Sequence, residues 1–113
     1  MSIRVEEFGT TKDGQKVKKY ILENGKGMKA AVLNLGAVLA ELHVPDKDGT
    51  LRDVVWGYED VAGYEVNGPD LGAVVGRNAN RIGGAVITIA GKDYTLVKNN
   101  GENNLHSGPD MYF

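Results

Sequence analysis

The sequence contains no cysteine among its 113 residues. This absence excludes a disulfide framework and a thiolate metal site, and it fits a reducing compartment. No excess of positive charge is present either, since 13 lysines and arginines face 15 aspartates and glutamates, for a net charge of −2. Because nucleic-acid binding needs a basic surface, we expect no nucleic-acid partner.

Long hydrophobic runs are also absent. The longest apolar-rich stretch, Ala30 to Leu42, is interrupted by Asn34, Gly36 and Glu41. It falls well short of the roughly 20 apolar residues that cross a bilayer. The opening stretch M-S-I-R-V-E-E-F carries charges where a secretory signal needs an apolar run. We therefore expect a cytoplasmic protein without membrane contact.

Motifs of nucleotide and hydrolase chemistry are missing as well. The Gly83-Gly84 pair lacks the lysine and hydroxyl residue of a phosphate-binding loop, and no Gly-x-Ser-x-Gly occurs. The two histidines, His43 and His106, have no carboxylate nearby at metal-ligand spacing. The sequence therefore predicts neither a metal site nor a cofactor.

Glycine, in contrast, is abundant at 16 residues and marks many turns. Turn signals such as Asp13-Gly14 separate stretches rich in β-branched and aromatic residues, at a spacing of about 8–12 residues. This pattern predicts an all-β, antiparallel sandwich or barrel, with a single helical turn capped by Asp60. The predicted strands are Ile3–Phe8, Val17–Glu23, Met28–Leu35, Ala37–Val44, Leu51–Trp56 and Leu71–Val75.

The densest group of polar donors and acceptors runs from Gly76 to His106. Within it, Ala85–Ala90 and Asp93–Lys98 predict a hairpin with Gly91 in its tight turn. Arginines and asparagines precede this hairpin, and an asparagine-rich loop ending in a histidine follows it. Polar side chains on loops at the two ends of a hairpin can converge on a ligand.

Each polar residue of this stretch has a functional and an ordinary interpretation. Arg81 presents a rigid fork of donors suited to hydroxyl or carboxylate oxygens, or it is a surface arginine over apolar neighbours. Asn78 and Asn80 would face the same way in an extended segment and match sugar hydroxyls, or they cap turns. His106 can exchange hydrogen bonds with a hydroxyl near neutral pH, or it is an exposed loop residue. His43 is interpreted as structural and solvent-facing.

Three motifs occur in order along the chain. N-L-G-A stands at 34–37, D-V-V-W-G-Y at 53–58, and the longest motif fills 76–108 with G-R-N-A-N-R-I, G-G-A-V-I-T-I-A-G-K-D-Y-T-L and N-N-G-E-N-N-L-H-S-G. Together they resemble the aldose 1-epimerases, also called galactose mutarotases, whose elements read N-x-G-A, D-V-V-L-G-Y and a closing L-H-G-G. Ser107 stands where the closing element usually has glycine.

This resemblance implies an antiparallel β-sandwich of the galactose mutarotase type, with residues 1–113 forming the N-terminal part of that single domain. The implied reaction interconverts the α- and β-anomers of hexoses such as galactose and glucose, without a cofactor or metal. A base takes the anomeric hydroxyl proton while an acid protonates the ring oxygen. The ring opens, C1 rotates, and the ring closes on the other face.

Carried over position by position, Asn80 and Arg81 match the family's substrate-binding Asn-Arg pair. His106 matches the histidine that binds the sugar near its ring oxygen. The family's acid, a second histidine, and its base, a glutamate, lie downstream of these motifs. The resemblance therefore assigns no catalytic residue to this chain, and His43 matches neither role.

Three interpretations follow. In the first, the chain is the N-terminal portion of an aldose 1-epimerase, as a fragment, an isolated domain or one piece of a split enzyme, and is inactive alone. In the second, it is a non-catalytic carbohydrate-binding protein that uses Asn80, Arg81 and His106. In the third, it is a structural fragment that forms homo-oligomers through unpaired sheet edges.

Overall fold

The structure, a computed structural model, describes residues 1–108. One compact unit is Met1–Ala73 and a second is Val74–Phe113. The expectation of a single domain over the whole chain stays a prediction. The strands are β1 Ser2–Thr10, β2 Lys16–Glu23, β3 Lys29–Leu33, β4 Leu39–Pro45, β5 Leu51–Asp53, β6 Arg81–Ile82, β7 Val86–Ile89, β8 Lys92–Thr95 and β9 Asn104–Leu105, with a helix α1 Val61–Val66 and a 3-10 turn Gly83–Ala85.

The first five strands form one antiparallel sheet in the order β1-β2-β3-β4-β5. Between β1 and β2, Gly14 has a φ of 88° and its N–H donates to the Thr11 carbonyl at 2.9 Å. Between β4 and β5, the Asp46 carboxylate accepts the N–H groups of Asp48 and Thr50, both at 2.9 Å. Such turns connect neighbouring antiparallel strands directly. The predicted antiparallel arrangement of these strands is therefore confirmed.

Helix α1 packs on β1 and completes the core of the first unit. The Asp60 carboxylate caps it by accepting the Gly63 N–H at 2.8 Å, as the sequence predicted. Tyr64 is 1% exposed, and its hydroxyl accepts the Tyr58 N–H at 3.0 Å. Gly9 permits the close approach of the helix, since an added Cβ would lie 2.7 Å from Val61 Cγ2. The buried cluster consists of Val17, Leu33, Val38, Ala40, Val61 and Tyr64.

Two predicted strands differ from the structure. No strand covers 71–75, because Asp70 and Gly72 take left-handed φ values of 56° and 66° and turn the chain. Strand β5 ends at Asp53 rather than Trp56. There the Asp53 carboxylate accepts the N–H groups of Leu42 at 2.9 Å and Val55 at 3.2 Å, so a side-chain oxygen takes the place of a backbone carbonyl as the acceptor for Leu42 of β4.

The predicted hairpin is confirmed, with shorter strands. β7 and β8 pair in antiparallel register from Val86↔Thr95 to Ile89↔Lys92. Ala90 and Gly91 fill the turn with φ values of 51° and 78°. Two positive φ values in a two-residue connection define the type I′ turn, whose twist matches that of the strands.

One face of the five-stranded sheet carries a row of apolar side chains that the described residues leave partly exposed to solvent. Cross-strand partners share a face, and the pairs Val5↔Tyr20 and Tyr20↔Val32 form such a row. Val5 is 50% exposed and Ile3 is 61% exposed. The buried Ile21 alternates with Tyr20 and therefore points to the other face.

That other face carries a charged cluster around Glu41 in addition to the core. Lys19 Nζ lies 2.9 Å from one Glu41 carboxylate oxygen, and His43 Nε2 lies 2.9 Å from the second. Lys29 Nζ is 3.8 Å away. Burial alone would raise the pKa of Glu41, but the hydrogen bonds from Lys19 and His43 and the two lysine charges outweigh it and lower the pKa. His43 is thus occupied in an ion-pair cluster.

We expect Glu41→Gln to destabilise the fold by about 0.5–1 kcal/mol at pH 7, since the cluster is partly exposed and screened by solvent. A carboxyl group whose pKa is lowered on folding stabilises the protein above its ordinary value of 4.5. This contribution is lost as the pH falls through the lowered pKa, so the two proteins should converge in stability below it. Urea unfolding across this pH range measures the difference.

Glu6→Gln is the matched control, because its bond to Arg4 lies on an exposed part of the sheet. We expect this variant to lose little stability at any pH. A Glu41→Gln deficit that is unchanged from pH 7 into the acid range would contradict the assignment.

Candidate functional site

A short strand pair assembles the candidate site in the second unit. β6 and β9 pair through Arg81↔Leu105 and Ile82↔Asn104. Arg81 is therefore paired with the residue that immediately precedes His106. No strand was predicted here, because two-residue strands show no alternation of polar and apolar positions.

Asn80 and His106 continue this pair through reciprocal hydrogen bonds. The His106 N–H donates to the Asn80 carbonyl at 3.0 Å, and the Asn80 N–H donates to His106 Nδ1 at 3.0 Å. Because Nδ1 accepts a hydrogen bond, the neutral ring carries its proton on Nε2. The backbone therefore fixes both the orientation of the imidazole and the nitrogen that acts as donor.

Arg81 is held by two asparagine oxygens. Its Nε donates to Asn100 Oδ1 at 2.9 Å, and its Nη1 lies 3.5 Å from Asn80 Oδ1. The same Asn80 oxygen accepts the Arg81 backbone N–H at 2.9 Å. Among residues 1–108, no carboxylate forms an ion pair with Arg81, and Glu102 in the nearby turn pairs with Lys98 instead. The described side-chain contacts of the guanidinium are thus with neutral amide oxygens.

Other asparagines of the region have structural contacts. Asn104 is 0% exposed, and its Nδ2 donates to the Val97 carbonyl at 2.8 Å. Asn99 donates to the Leu105 carbonyl at 2.8 Å and accepts the Leu105 N–H at 2.7 Å, as a neighbouring strand would. Asn78 Nδ2 donates to Asn104 Oδ1 at 3.3 Å. The side chains of these three asparagines therefore join segments that lie 6 to 26 residues apart in the chain.

Asn80 differs from Asn78 because the segment between them is not extended. Asn80 has a left-handed φ of 58°, so its side chain does not follow the two-residue alternation of a strand. Asn78 instead pairs with Ser107 and Asn104. The expectation that both amides face one ligand holds only for an extended segment, and it is wrong for this backbone.

The turn after His106 is left-handed at two successive residues that are not glycine. His106 has a φ of 52° and Ser107 a φ of 70°. A side chain in this region costs about 1–2 kcal/mol. Ser107 compensates, because its Oγ accepts the Asn78 N–H at 2.8 Å and lies 3.0 Å from Asn78 Oδ1. The serine hydroxyl therefore ties the histidine loop to the segment before Arg81.

A second group of polar residues lies in the first unit. A cleft of about 480 Å³ is lined there by charged and aromatic side chains that include Lys19, Glu41, His43 and Phe8. Lys19 and His43 both bond to Glu41, so the lysine charge compensates that of the carboxylate. Within residues 1–108, no three histidine, aspartate or glutamate side chains are placed to hold one metal ion. No helix of the described part is long and apolar enough to cross a membrane.

The fold and the motif residues identify the class of protein. The sequence pattern of the aldose 1-epimerase family matches residues 18–111, and the chain belongs to this family. The resemblance drawn from the motifs is thereby confirmed. Similar proteins include galactose mutarotase of Bos taurus, which is 40% identical over 92 residues, and aldose 1-epimerase of Escherichia coli K12, which is 36% identical over 100 residues.

Solved structures agree with the family assignment. A GalM/aldose epimerase homologue from C. elegans superposes with a TM-score of 0.75 at 39% identity over 81% of this chain. A galactose 1-epimerase from Lactobacillus acidophilus gives a TM-score of 0.74 at 27% identity over 93% of this chain. The predicted all-β fold of the galactose mutarotase type is confirmed.

The matches cover most of this chain but a minor part of each relative. They include 81% of this chain and 27% of the Bos taurus protein, and 88% of this chain and 29% of the Escherichia coli protein. For the two solved structures, the shares of those chains are 28% and 30%. The binding roles of Asn80, Arg81 and His106 stay predictions.

We expect Ser107→Ala to destabilise the second unit by about 1–3 kcal/mol, because it leaves the Asn78 N–H without its acceptor and keeps the left-handed backbone. Ser107→Gly loses the same bonds but relieves about 1 kcal/mol of backbone strain. Urea unfolding should therefore rank wild type above Ser107→Gly and Ser107→Gly above Ser107→Ala. An alanine variant as stable as wild type would show that the hydroxyl bonds contribute nothing.

Proposed function

We propose that this chain provides the substrate-binding part of an aldose 1-epimerase that interconverts the α- and β-anomers of hexoses such as galactose and glucose. The observation that carries the proposal is the reciprocal Asn80–His106 hydrogen bonding directly beside Arg81. The names of the relatives, galactose mutarotase and aldose 1-epimerase, support the same reaction.

Each residue has a binding role that follows from its donors. Arg81 offers charged N–H donors to sugar hydroxyl oxygens, and charge-assisted hydrogen bonds of this kind are stronger than neutral ones. His106, protonated at Nε2 in its neutral form, donates toward an acceptor such as the ring oxygen. The Asn80 amide adds a donor and an acceptor for a hydroxyl group. Together they orient a pyranose ring without transferring a proton.

In this proposal, the proton transfers belong to an acid and a base other than these residues. Ring opening requires a base at the anomeric hydroxyl and an acid at the ring oxygen. Among the residues that the structure describes, the other histidine, His43, bonds to Glu41 in the first unit. The chain alone is therefore proposed to bind sugar but not to catalyse mutarotation.

We expect galactose and glucose to shift the NMR signals of Arg81 and His106, with affinities on the order of millimolar, since few groups contact the ligand. Arg81→Ala should abolish these shifts, whereas Glu102→Ala, in the neighbouring turn, should leave them unchanged. The same samples should not accelerate the mutarotation of fresh α-galactose in a polarimeter.

The outcomes separate the interpretations. Sub-millimolar binding without catalysis would favour a non-catalytic carbohydrate-binding protein. Acceleration that disappears in Arg81→Ala would contradict the proposed lack of catalysis. Signals of wild type that do not respond to either sugar would contradict the binding role itself.

A second candidate role is self-association through the five-stranded sheet. It is favoured by the exposed apolar residues Ile3 and Val5 on β1, which is an edge strand of the sheet among the described residues. Edge strands with unpaired N–H and carbonyl groups pair with other chains.

For this role we expect light scattering to detect dimers or larger species that Val5→Lys reduces, because a lysine on an edge strand opposes pairing. Lys18→Arg, a conservative change on β2, serves as the control and should not alter the mass. A wild-type chain that is monomeric at every concentration would exclude the role.

A further inference from the structure

Asn100 occupies a fixed position in the asparagine-rich loop. Its backbone exchanges hydrogen bonds with Asn103, at 3.1 Å from the Asn100 N–H and 3.0 Å from the Asn103 N–H. Gly101 closes this turn with a left-handed φ of 59°. The two bonds restrain the backbone from which the Asn100 side chain projects.

This oxygen provides the shorter of the two side-chain contacts of the Arg81 guanidinium. The bond from Nε to Asn100 Oδ1 is 2.9 Å, whereas Nη1 is 3.5 Å from Asn80 Oδ1. The Asn80 oxygen already accepts the Arg81 backbone N–H. An exposed arginine has many rotamers, and a bond at Nε restricts the plane of the whole group.

The acceptor is an amide rather than a carboxylate, which has a consequence for binding. A carboxylate would neutralise the guanidinium and attract its outer N–H groups, but an amide oxygen orients Nε and leaves the charge intact. The nearest acidic residue of the loop, Glu102, bonds to Lys98. Among residues 1–108, no hydrogen-bond acceptor contacts Arg81 Nη2 at the outer edge of the fork.

We infer that Asn100 is a positioning residue, which orients the Arg81 guanidinium so that its outer N–H groups face a sugar oxygen. This inference rests on the proposed function for the identity of the ligand. The orientation of Arg81 itself does not depend on any ligand. Asn100 contacts no reacting atom in this scheme and acts only through Arg81.

The first test measures the Arg81 Nε–H signal by NMR in the full chain without ligand. We expect its hydrogen exchange with water to be about tenfold faster in Asn100→Ala, because its acceptor is lost. Asn100→Asp keeps an oxygen at the same place and should restore the slow exchange. Glu102→Ala removes a side chain from the same turn without touching Arg81, so its exchange should equal that of wild type.

The second test titrates galactose into the same four proteins. We expect Asn100→Ala to weaken binding about 3- to 10-fold, and the backbone signals of Asn78 and Ser107 to report an intact fold. Asn100→Asp should bind galactose more weakly than wild type although its Nε–H exchange is slow, since a carboxylate neutralises the guanidinium and attracts its outer N–H groups. A purely structural role would move the fold signals in proportion to the loss of binding.

The outcomes distinguish this inference from the proposed function. Equal Nε–H exchange in wild type and Asn100→Ala would overturn the inference, even where galactose binds. Slow exchange that depends on Asn100, together with no response to galactose in any variant, would support the orientation of Arg81 and overturn the sugar-binding function. If Asn100→Ala is the one variant that loses both the exchange protection and the galactose response, the result supports the inference and the proposed function together.

Discussion

The reciprocal hydrogen bonds between Asn80 and His106 are the constraint on which the candidate site depends. An imidazole nitrogen takes the position that a backbone carbonyl would have in the next step of the β6–β9 pair. The hydrogen bond from the Asn80 N–H therefore fixes the orientation of the imidazole ring and its tautomer. Since Asn80 Oδ1 also accepts the Arg81 N–H, a displacement of Asn80 would move all three residues together.

Side-chain amides stabilise a strand pair that is too short to stabilise itself. β6 and β9 each contain two residues, and Asn99 extends the pairing by bonding to both backbone groups of Leu105. The fully buried Asn104 donates to the Val97 carbonyl and accepts from the Asn78 amide. Among the described residues, no buried side-chain nitrogen or oxygen lacks a hydrogen-bond partner. Because these buried polar groups are hydrogen-bonded, the polar interior is compatible with folding.

The sequence predicted the elements that depend on local pattern and missed those that depend on distant partners. The antiparallel sheet and the hairpin follow from the alternation of polar and apolar residues and from turn residues such as Gly14 and Gly91. Asp60 indicated the N-terminal cap of the helix. The strand predicted at 71–75 failed because an apolar run does not reveal the left-handed turn at Gly72. The motifs indicated Asn80, Arg81 and His106 as binding residues. No residue pattern predicted the hydrogen bonds that Asn80 forms with the other two.

The contact between Asn100 and Arg81 also bears on the chemical lifetime of the chain. Asparagine followed by glycine is prone to deamidation, because the glycine nitrogen can attack the side-chain carbonyl carbon without steric hindrance. Asn100-Gly101 is such a step, and the bond to Arg81 Nε restrains the rotation that this attack requires. The bond that we infer to orient the guanidinium therefore also restrains the side chain at this reactive step. Any deamidation that does occur would place a negative charge directly against Arg81.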